Sequence, residues 1–350
     1  MADPNAIVDR IDSLEPAFRP PAAEFMKRVP PEGVRIRFSR GEIAWLKRSD
    51  PRAGVLAQLL DELREDRAPA FVLVNRDSKA IERLLLPLST HVTGLAETPA
   101  GDALIDLRLS HIRHVLRREH PDYLSFLEIL KGALEKQEPV IITKTEAQHE
   151  ILDVRPDGPF GDEDRPGPVA WPSVQPIAPD RSIEMFNLTQ TMSCDPIDPV
   201  APCIPFLFPD DGCWARAHEM CRLMIENGVI PRKIWIDGKL RPRNRNHPCC
   251  RTPVWSWHVA PVIEVSLSGV IEEQVIDPVL FSAPATIGAW KGRLGDPEAA
   301  LERTEASIFL RPTDTDSDYR LTKLHLRFRR RDLRARAISV DGPPPYSHCP

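Results

Sequence analysis

Two stretches in the first half of the chain switch in the same way from strand-like to helix-like spacing of apolar residues. In the first, Val34-Arg35-Ile36-Arg37-Phe38 alternates apolar and polar positions, and Ile43-Ala44-Trp45-Leu46 follows. Pro51 to Arg64 then carries an apolar stripe of Val55, Leu56, Leu59, Leu60 and Leu63, and Pro69-Ala70-Phe71-Val72-Leu73-Val74 is a continuous apolar run. The second has Ile105-Asp106-Leu107-Arg108-Leu109, then Val115-Leu116, and a stripe of Phe126, Ile129, Leu130, Ala133 and Leu134 between Pro121 and Leu134. It closes on Pro139-Val140-Ile141-Ile142-Thr143. A period of two predicts strands and a period near 3.6 predicts helices. Each copy therefore reads as strand, strand, helix, strand. Pro51 matches Pro121 and Pro69 matches Pro139 at one common offset, which marks an internal repeat. Both Pro51 and Pro121 suit a first helical turn, where a missing N–H costs nothing.

The pattern places an N-terminal arm at 1–30, the first α+β repeat at 31–95 and the second at 100–155. From 156 to 181 proline and glycine dominate, as in a stiff, extended linker that a protease reaches easily. The last domain spans 182–338, with a loose proline-rich tail at 339–350. Within it, Ile183 to Thr191 predicts a short helix, and Cys213 to Asn227 a helix closed by Gly228. Ile234-Trp235-Ile236, Val254 to Val265, Gln274 to Ile276 and Leu321 to Phe328 predict strands. A helix followed by several strands gives an α+β class. The basic run Arg329-Arg330-Arg331 reads as a solvated strand end.

Composition narrows the function classes. The 350 residues suffice for two domains, and 42% hydrophobic content can furnish real cores. A net charge of −5 gives no general case for nucleic-acid binding, and no apolar run approaches a membrane span. The start, Met1-Ala2-Asp3-Pro4-Asn5, lacks the basic and apolar regions of a secretory signal, so a cytoplasmic location or export by a dedicated machine is expected. The seven cysteines are uneven: none precedes Cys194, six lie between Cys194 and Cys250, and Cys349 is in the tail. That excludes uniform stapling and points to special chemistry or local bridges. Cys194, Cys203, His247, Cys249 and Cys250 fit no common zinc finger, so no metal and no cofactor is expected. In local bridges, Cys194 and Cys203 would close a small loop, while the adjacent Cys249 and Cys250 would pair with different partners.

Cys213 is the candidate nucleophile. Gly212-Cys213 puts a thiol at a helix N-terminus, where the dipole and free N–H groups favour a thiolate and can hold an oxyanion. His258 lies on an aromatic-rich strand, sharing a face with Ser256 and Ala260, while Trp257 and Val259 take the other. Asp277 stands just before Pro278, so its strand ends there, and a carboxylate at a strand end can orient an imidazole. Cysteine, histidine and aspartate in that order form a papain-like set. Each also has a bland reading: a buried helix cysteine, a core histidine, a turn aspartate. His218, five residues along the helix from Cys213, points away from the thiol and reads as structural. His111, His114 and His120 read as surface histidines.

With these residues the chain resembles the bacterial protein glutaminases, cysteine enzymes that deamidate glutamine side chains within proteins. The resemblance runs from about Ser182 to Phe328. It rests on the Cys194/Cys203 spacing, Asp211-Gly212-Cys213 with Ala215-Arg216-Ala217-His218, Cys249-Cys250, Trp255-Ser256 with His258-Val259-Ala260, Ile276-Asp277-Pro278 and Trp290. It implies a papain-like or transglutaminase-like cysteine-hydrolase core preceded by the tandem α+β repeats, with Cys213 as nucleophile, His258 as acid/base and Asp277 as orienting carboxylate. Gly212, Trp214, Ser256 and Trp257 are then expected around the oxyanion and substrate cleft, with Trp214 and Trp257 standing where the family tends to have tyrosine. The repeats resemble the family's pro-region, here present twice, which implies packing on their own catalytic domain. The expected partners are proteins or peptides with an accessible glutamine, not nucleic acid or membrane. The expected reaction yields glutamate and ammonia through a Cys213 thioester. A transglutaminase or cysteine protease using the same three residues, and a catalytically silent binding or inhibitory protein, are the alternatives.

Overall fold

The structure is a computed structural model that describes residues 5–145, 149–157, 174–208, 210–242 and 254–339. Expectations for Cys249, Cys250, His247 and Cys349, and for most of the linker, lie outside the described residues. The chain divides into two compact units, and the second takes in Asp106–Arg113 from the middle of the first.

The first unit contains β1 (Ala6–Glu15), α1 (Ala22–Arg28), β2 (Val34–Phe38), β3 (Ile43–Leu46), α2 (Ala53–Glu65), β4 (Pro69–Val74) and β5 (Ile81–Leu85). A second set follows: β6 (Leu88–Glu97), β7 (Ala103–Leu107), β8 (His114–Leu116), α3 (Tyr123–Lys136), β9 (Pro139–Lys144) and β10 (Ile151–Pro156). The sheet orders are β3-β2-β1-β4-β5 and β10-β9-β6-β7-β8. Read from its other edge, the second is β8-β7-β6-β9-β10, so the two copies share one topology. The stripe on α2 buries Leu56, Leu59, Leu60 and Leu63, and that on α3 buries Phe126, Leu130 and Ala133. Pro51 and Pro121 stand just before the N-caps Arg52 and Asp122, outside the first helical turn.

Each copy has a central strand that alternation alone does not reveal. β1 lies at the centre of its sheet although 1–30 reads as an arm, and β6 starts inside the stretch read as the first repeat. A register shift between Ile11 and Ser13 breaks the period-two pattern of β1 against β2. In β6 the polar Thr90 occupies a buried position and blurs the signal.

The second unit begins with α4 (Pro179–Thr191) and α5 (Cys213–Glu226). It continues through β11 (Arg232–Leu240), β12 (Trp255–Leu267), β13 (Val270–Val275), β14 (Ala285–Thr286), α6 (Ile287–Leu294), β15 (Ala300–Glu305), β16 (Ile308–Leu310) and β17 (Asp314–Thr315), ending in α7 (Arg320–Ala337). Its main sheet is antiparallel, in the order β14-β13-β12-β11-β15. The apolar core carries Trp214, Trp235, Trp255 and Trp290 and joins α5 to β12. This is an α+β, papain-like arrangement. No helix among the described residues is long and apolar enough to cross a membrane.

The expected strand at Leu321 to Phe328 is instead the first half of α7. Leu324, Leu326 and Phe328 alternate with polar residues, which mimics a strand. Thr322, Leu326, Arg329 and Leu333, however, are all buried, and they follow a helical spacing. Two of those four are polar, so hydropathy hides the period. Asp316 starts the helix by accepting from the N–H groups of Leu321 and Thr322. Arg329 is accordingly a fully buried side chain and not a solvated strand end.

Candidate active site

Cys213 opens α5 behind Gly212, whose φ of +84° lies in the left-handed region. A Cβ added there would meet Arg329 Cγ at 2.9 Å, so glycine is required for both conformation and space. Asp211, just before it, is a buried hub. Its Oδ1 accepts from the N–H of Gly212 at 2.9 Å, and its Oδ2 faces Arg329 Nη2 at 3.0 Å. Arg216, one turn into α5, donates to the carbonyls of Phe208 and Asp211. Two buried arginines thus fix the bend that aims Cys213, and only tertiary packing explains why cations sit there.

His258 projects from β12 and Asp277 lies in the turn after β13. His258 Nε2 donates to Asp277 Oδ2 at 2.9 Å, and Trp290 Nε1 of α6 donates to the same oxygen at 2.9 Å. Burial would raise the Asp277 carboxyl, but His258, Trp290 and Arg216 outweigh it and hold the group below its ordinary value. An ionised carboxylate only accepts, so the proton of a neutral His258 sits on Nε2 and Nδ1 keeps its lone pair. His258 Nδ1 is buried with no hydrogen-bond partner. A ring nitrogen of His258, the Cys213 sulfur and a ring nitrogen of His111 all lie within 4.8 Å of one another. The three residues singled out in the sequence therefore converge.

His111 was not expected there. It is fully buried, as is His114, while His120 is half-buried, so none of the three is the exposed histidine the sequence suggests. The His111 ring stacks on Trp255 at 4.4 Å between centroids. Its Nε2 is 2.7 Å from the carbonyl oxygen of Asp210, and its Nδ1 is 2.9 Å from Cys213 Sγ. A carbonyl must accept, so Nε2 carries the proton and the thiol donates to Nδ1. Burial pulls His111 down to about 3, with Asp211 opposing, so the ring is neutral at ordinary pH.

The same dryness changes the expectation for Cys213. Burial pushes its thiol far above the usual range, Arg216 opposes this, and Asp211 adds to it. The helix N-terminus does not outweigh this burial, which favours the thiol over the thiolate.

The cleft residues fall beside this centre. Ser256 donates to the carbonyl of His111 from both its N–H, at 2.8 Å, and its Oγ, at 3.1 Å. Ile112 bridges Trp255 antiparallel, so 111–113 runs along the start of β12. Trp257 meets the His111 ring edge-on at 5.6 Å, and Trp214 is fully buried under Trp257. His218 is structural as expected: Lys233 Nζ donates to its Nδ1 at 2.7 Å, and its Nε2 faces the Asp316 carbonyl. Cys194 and Cys203 form a disulfide.

A signal for His111 does exist in the repeat. The connection between the first two strands of the core pattern runs 39–42 in the first copy and 108–113 in the second. A longer tip in one of two otherwise matched units is where function is expected.

Residues 183–294 match a family model described as a glutaminase. A crystal structure of pro-protein-glutaminase is similar at 24% identity and a TM-score of 0.55, covering 76% of this chain and 99% of that one. A mutant of pro-protein-glutaminase matches at 24% identity and a TM-score of 0.55, over 70% and 93%. The NMR structure of protein-glutaminase from Chryseobacterium proteolyticum is 30% identical, with a TM-score of 0.38, over 42% and 84%. No curated protein matches the chain.

Proposed function

We propose that this chain, with its glutaminase-family domain over residues 183–294, is a protein-glutamine deamidase held here in a latent form. The observation that carries the reading is the buried His258–Asp277 pair, which leaves the His258 Nδ1 lone pair without a partner beside a cysteine at a helix N-terminus. His258 takes the thiol proton, and Cys213 Sγ attacks the carboxamide carbon of a glutamine side chain. N–H groups at the start of α5 hold the developing oxyanion. The C–N bond breaks as His258 returns the proton to the leaving amine, and ammonia departs. Water deprotonated by His258 then hydrolyses the thioester to glutamate and restores the thiol. Asp277 keeps the imidazole in the tautomer that these steps need.

Latency follows from segment 106–113. The thiol donates to His111 instead of His258, in a site too dry for a thiolate. A protein substrate takes the path that this segment now occupies. Its backbone carbonyl accepts from Ser256 as the His111 carbonyl does now, and its glutamine side chain enters where the His111 ring sits. The domain limits of 156–181 for the linker and 182–338 for the catalytic part remain part of this proposal, with α4 already started at Pro179.

The test is ammonia release from a glutamine-containing protein, with mass spectrometry of the product. Each event should add about one dalton, without crosslinks and without chain cleavage. Cys213→Ala should abolish the release while keeping the far-ultraviolet circular dichroism. Ammonia with crosslinks would indicate a transglutaminase, and cleavage a protease.

A further inference from the structure

We propose that His111, Cys213 and His258 together form a binding site for a borderline-soft divalent metal ion of the zinc class, present only while segment 106–113 is seated. Cysteine and histidine spacing along the chain gave no hint of it, because the three ligands come from a strand connection, a helix start and a strand. The ligand atoms lie within 4.8 Å of one another, and all three residues are buried.

Both imidazoles already have the outer contacts of metal-bound histidines. A ligating histidine gives its second ring N–H to a carboxylate or a backbone carbonyl, which fixes the tautomer and turns the other nitrogen's lone pair to the metal. His258 Nε2 does this to Asp277 at 2.9 Å, and His111 Nε2 does it to the Asp210 carbonyl at 2.7 Å. Each ring is left with Nδ1 as its donor. His258 Nδ1 is a buried polar atom with no hydrogen-bond partner, an independent mark of a site built for something more than the side chains around it. The rings are also held in place, His111 stacked on Trp255 and His258 5.7 Å from Trp290.

One thiolate and two imidazoles are a three-ligand set suited to Zn²⁺, with a fourth position left for water. A tetrahedral ion needs sulfur and nitrogen ligands about 3.5 Å apart. The Cys213–His111 contact of 2.9 Å therefore opens slightly as the ion enters. On binding, the Cys213 S–H bond breaks, its proton leaves to solvent and a sulfur–metal bond forms. Both histidines keep their Nε2 protons, and nothing is oxidised or reduced. The ion would clamp segment 106–113 onto the cysteine and lock the thiol away. The site needs only these side chains in place and does not rest on the deamidase reading.

The experiment loads full-length chain with Co²⁺ and with Zn²⁺ in the absence of substrate. The expected result is one tightly held ion per chain, with a near-ultraviolet sulfur-to-cobalt charge-transfer band. Cys213→Ala should lose the band, and His111→Ala should bind at least tenfold more weakly, with folding checked by circular dichroism. Zinc K-edge absorption of the loaded wild type, which needs no variant to fold, should fit one sulfur and two imidazole nitrogens. A band that persists in Cys213→Ala, unchanged affinity in folded His111→Ala, or a zinc shell without sulfur would each overturn the proposal.

Discussion

Asp277 receives two N–H donors on one oxygen and is buried with them, which makes it the side chain whose chemistry can least be replaced. An amide in its place offers an NH2 group, which opposes a proton on His258 Nε2 and turns the imidazole lone pair away from the thiol. Asp277→Asn should keep the fold and lower kcat by on the order of 10³-fold or more, as the wrong tautomer does in hydrolytic triads generally. Substrate affinity should change far less, so steady-state kinetics separating kcat from KM checks the assignment. A loss confined to KM would remove Asp277 from the acid/base machinery. His111 meets the same thiol as a hydrogen-bond acceptor, its ring kept neutral by burial.

At the scale of elements, the start of α5 is tightly constrained. Gly212 combines a left-handed φ with a Cβ position already filled by Arg329 of α7. Gly212→Ala should cost about 2–4 kcal/mol through backbone strain and displacement of the buried Asp211–Arg329 pair. Urea unfolding measures this, and a change below about 1 kcal/mol would mean that α7 yields easily. α7 has a strand-like hydropathy pattern for a physical reason: its inner face carries Thr322 and Arg329, so the helical period is one of burial and not of hydropathy. α5 was legible because glycine stood at both ends and its apolar residues kept the helical spacing.

For the whole molecule, segment 106–113 matters most, because it belongs to the compact unit that carries Cys213 while the residues before and after it belong to the other unit. His111→Ala in the full-length chain should raise glutamine deamidation at least tenfold. The 182–350 fragment, which lacks the segment, should be more active still. Equal rates for wild type, variant and fragment would discard latency. Stability should also depend on acid. Burial holds His111 and His325 down to about 3 and His218 well below its ordinary value, whereas in the unfolded chain they titrate near 6.5. The unfolded state binds the extra protons, so this stability is complete above about pH 6.5 and is lost as the pH falls toward 3. Each such histidine steepens the loss by roughly 1.4 kcal/mol per pH unit. Denaturant unfolding between pH 7 and 5 should show this, with a flatter profile in His325→Phe.

Sequence alone determined what local chemistry encodes. The helix–strand alternation of both repeats, the glycine-bounded helix behind Cys213 and the order of Cys213, His258 and Asp277 all lie in runs of neighbouring residues. The two central strands escaped because a bulge at Ile11–Ser13 and a buried Thr90 interrupt the alternation that would mark them. His111 escaped for a different reason. Nothing near it in the chain shows that Trp255, Asp210 and Cys213 will enclose it, since those contacts join residues about a hundred or more positions apart. Enclosure also decides charge: a helix N-terminus favours a thiolate, but the cost of burying one is larger, and only the folded chain sets how much water remains around Cys213.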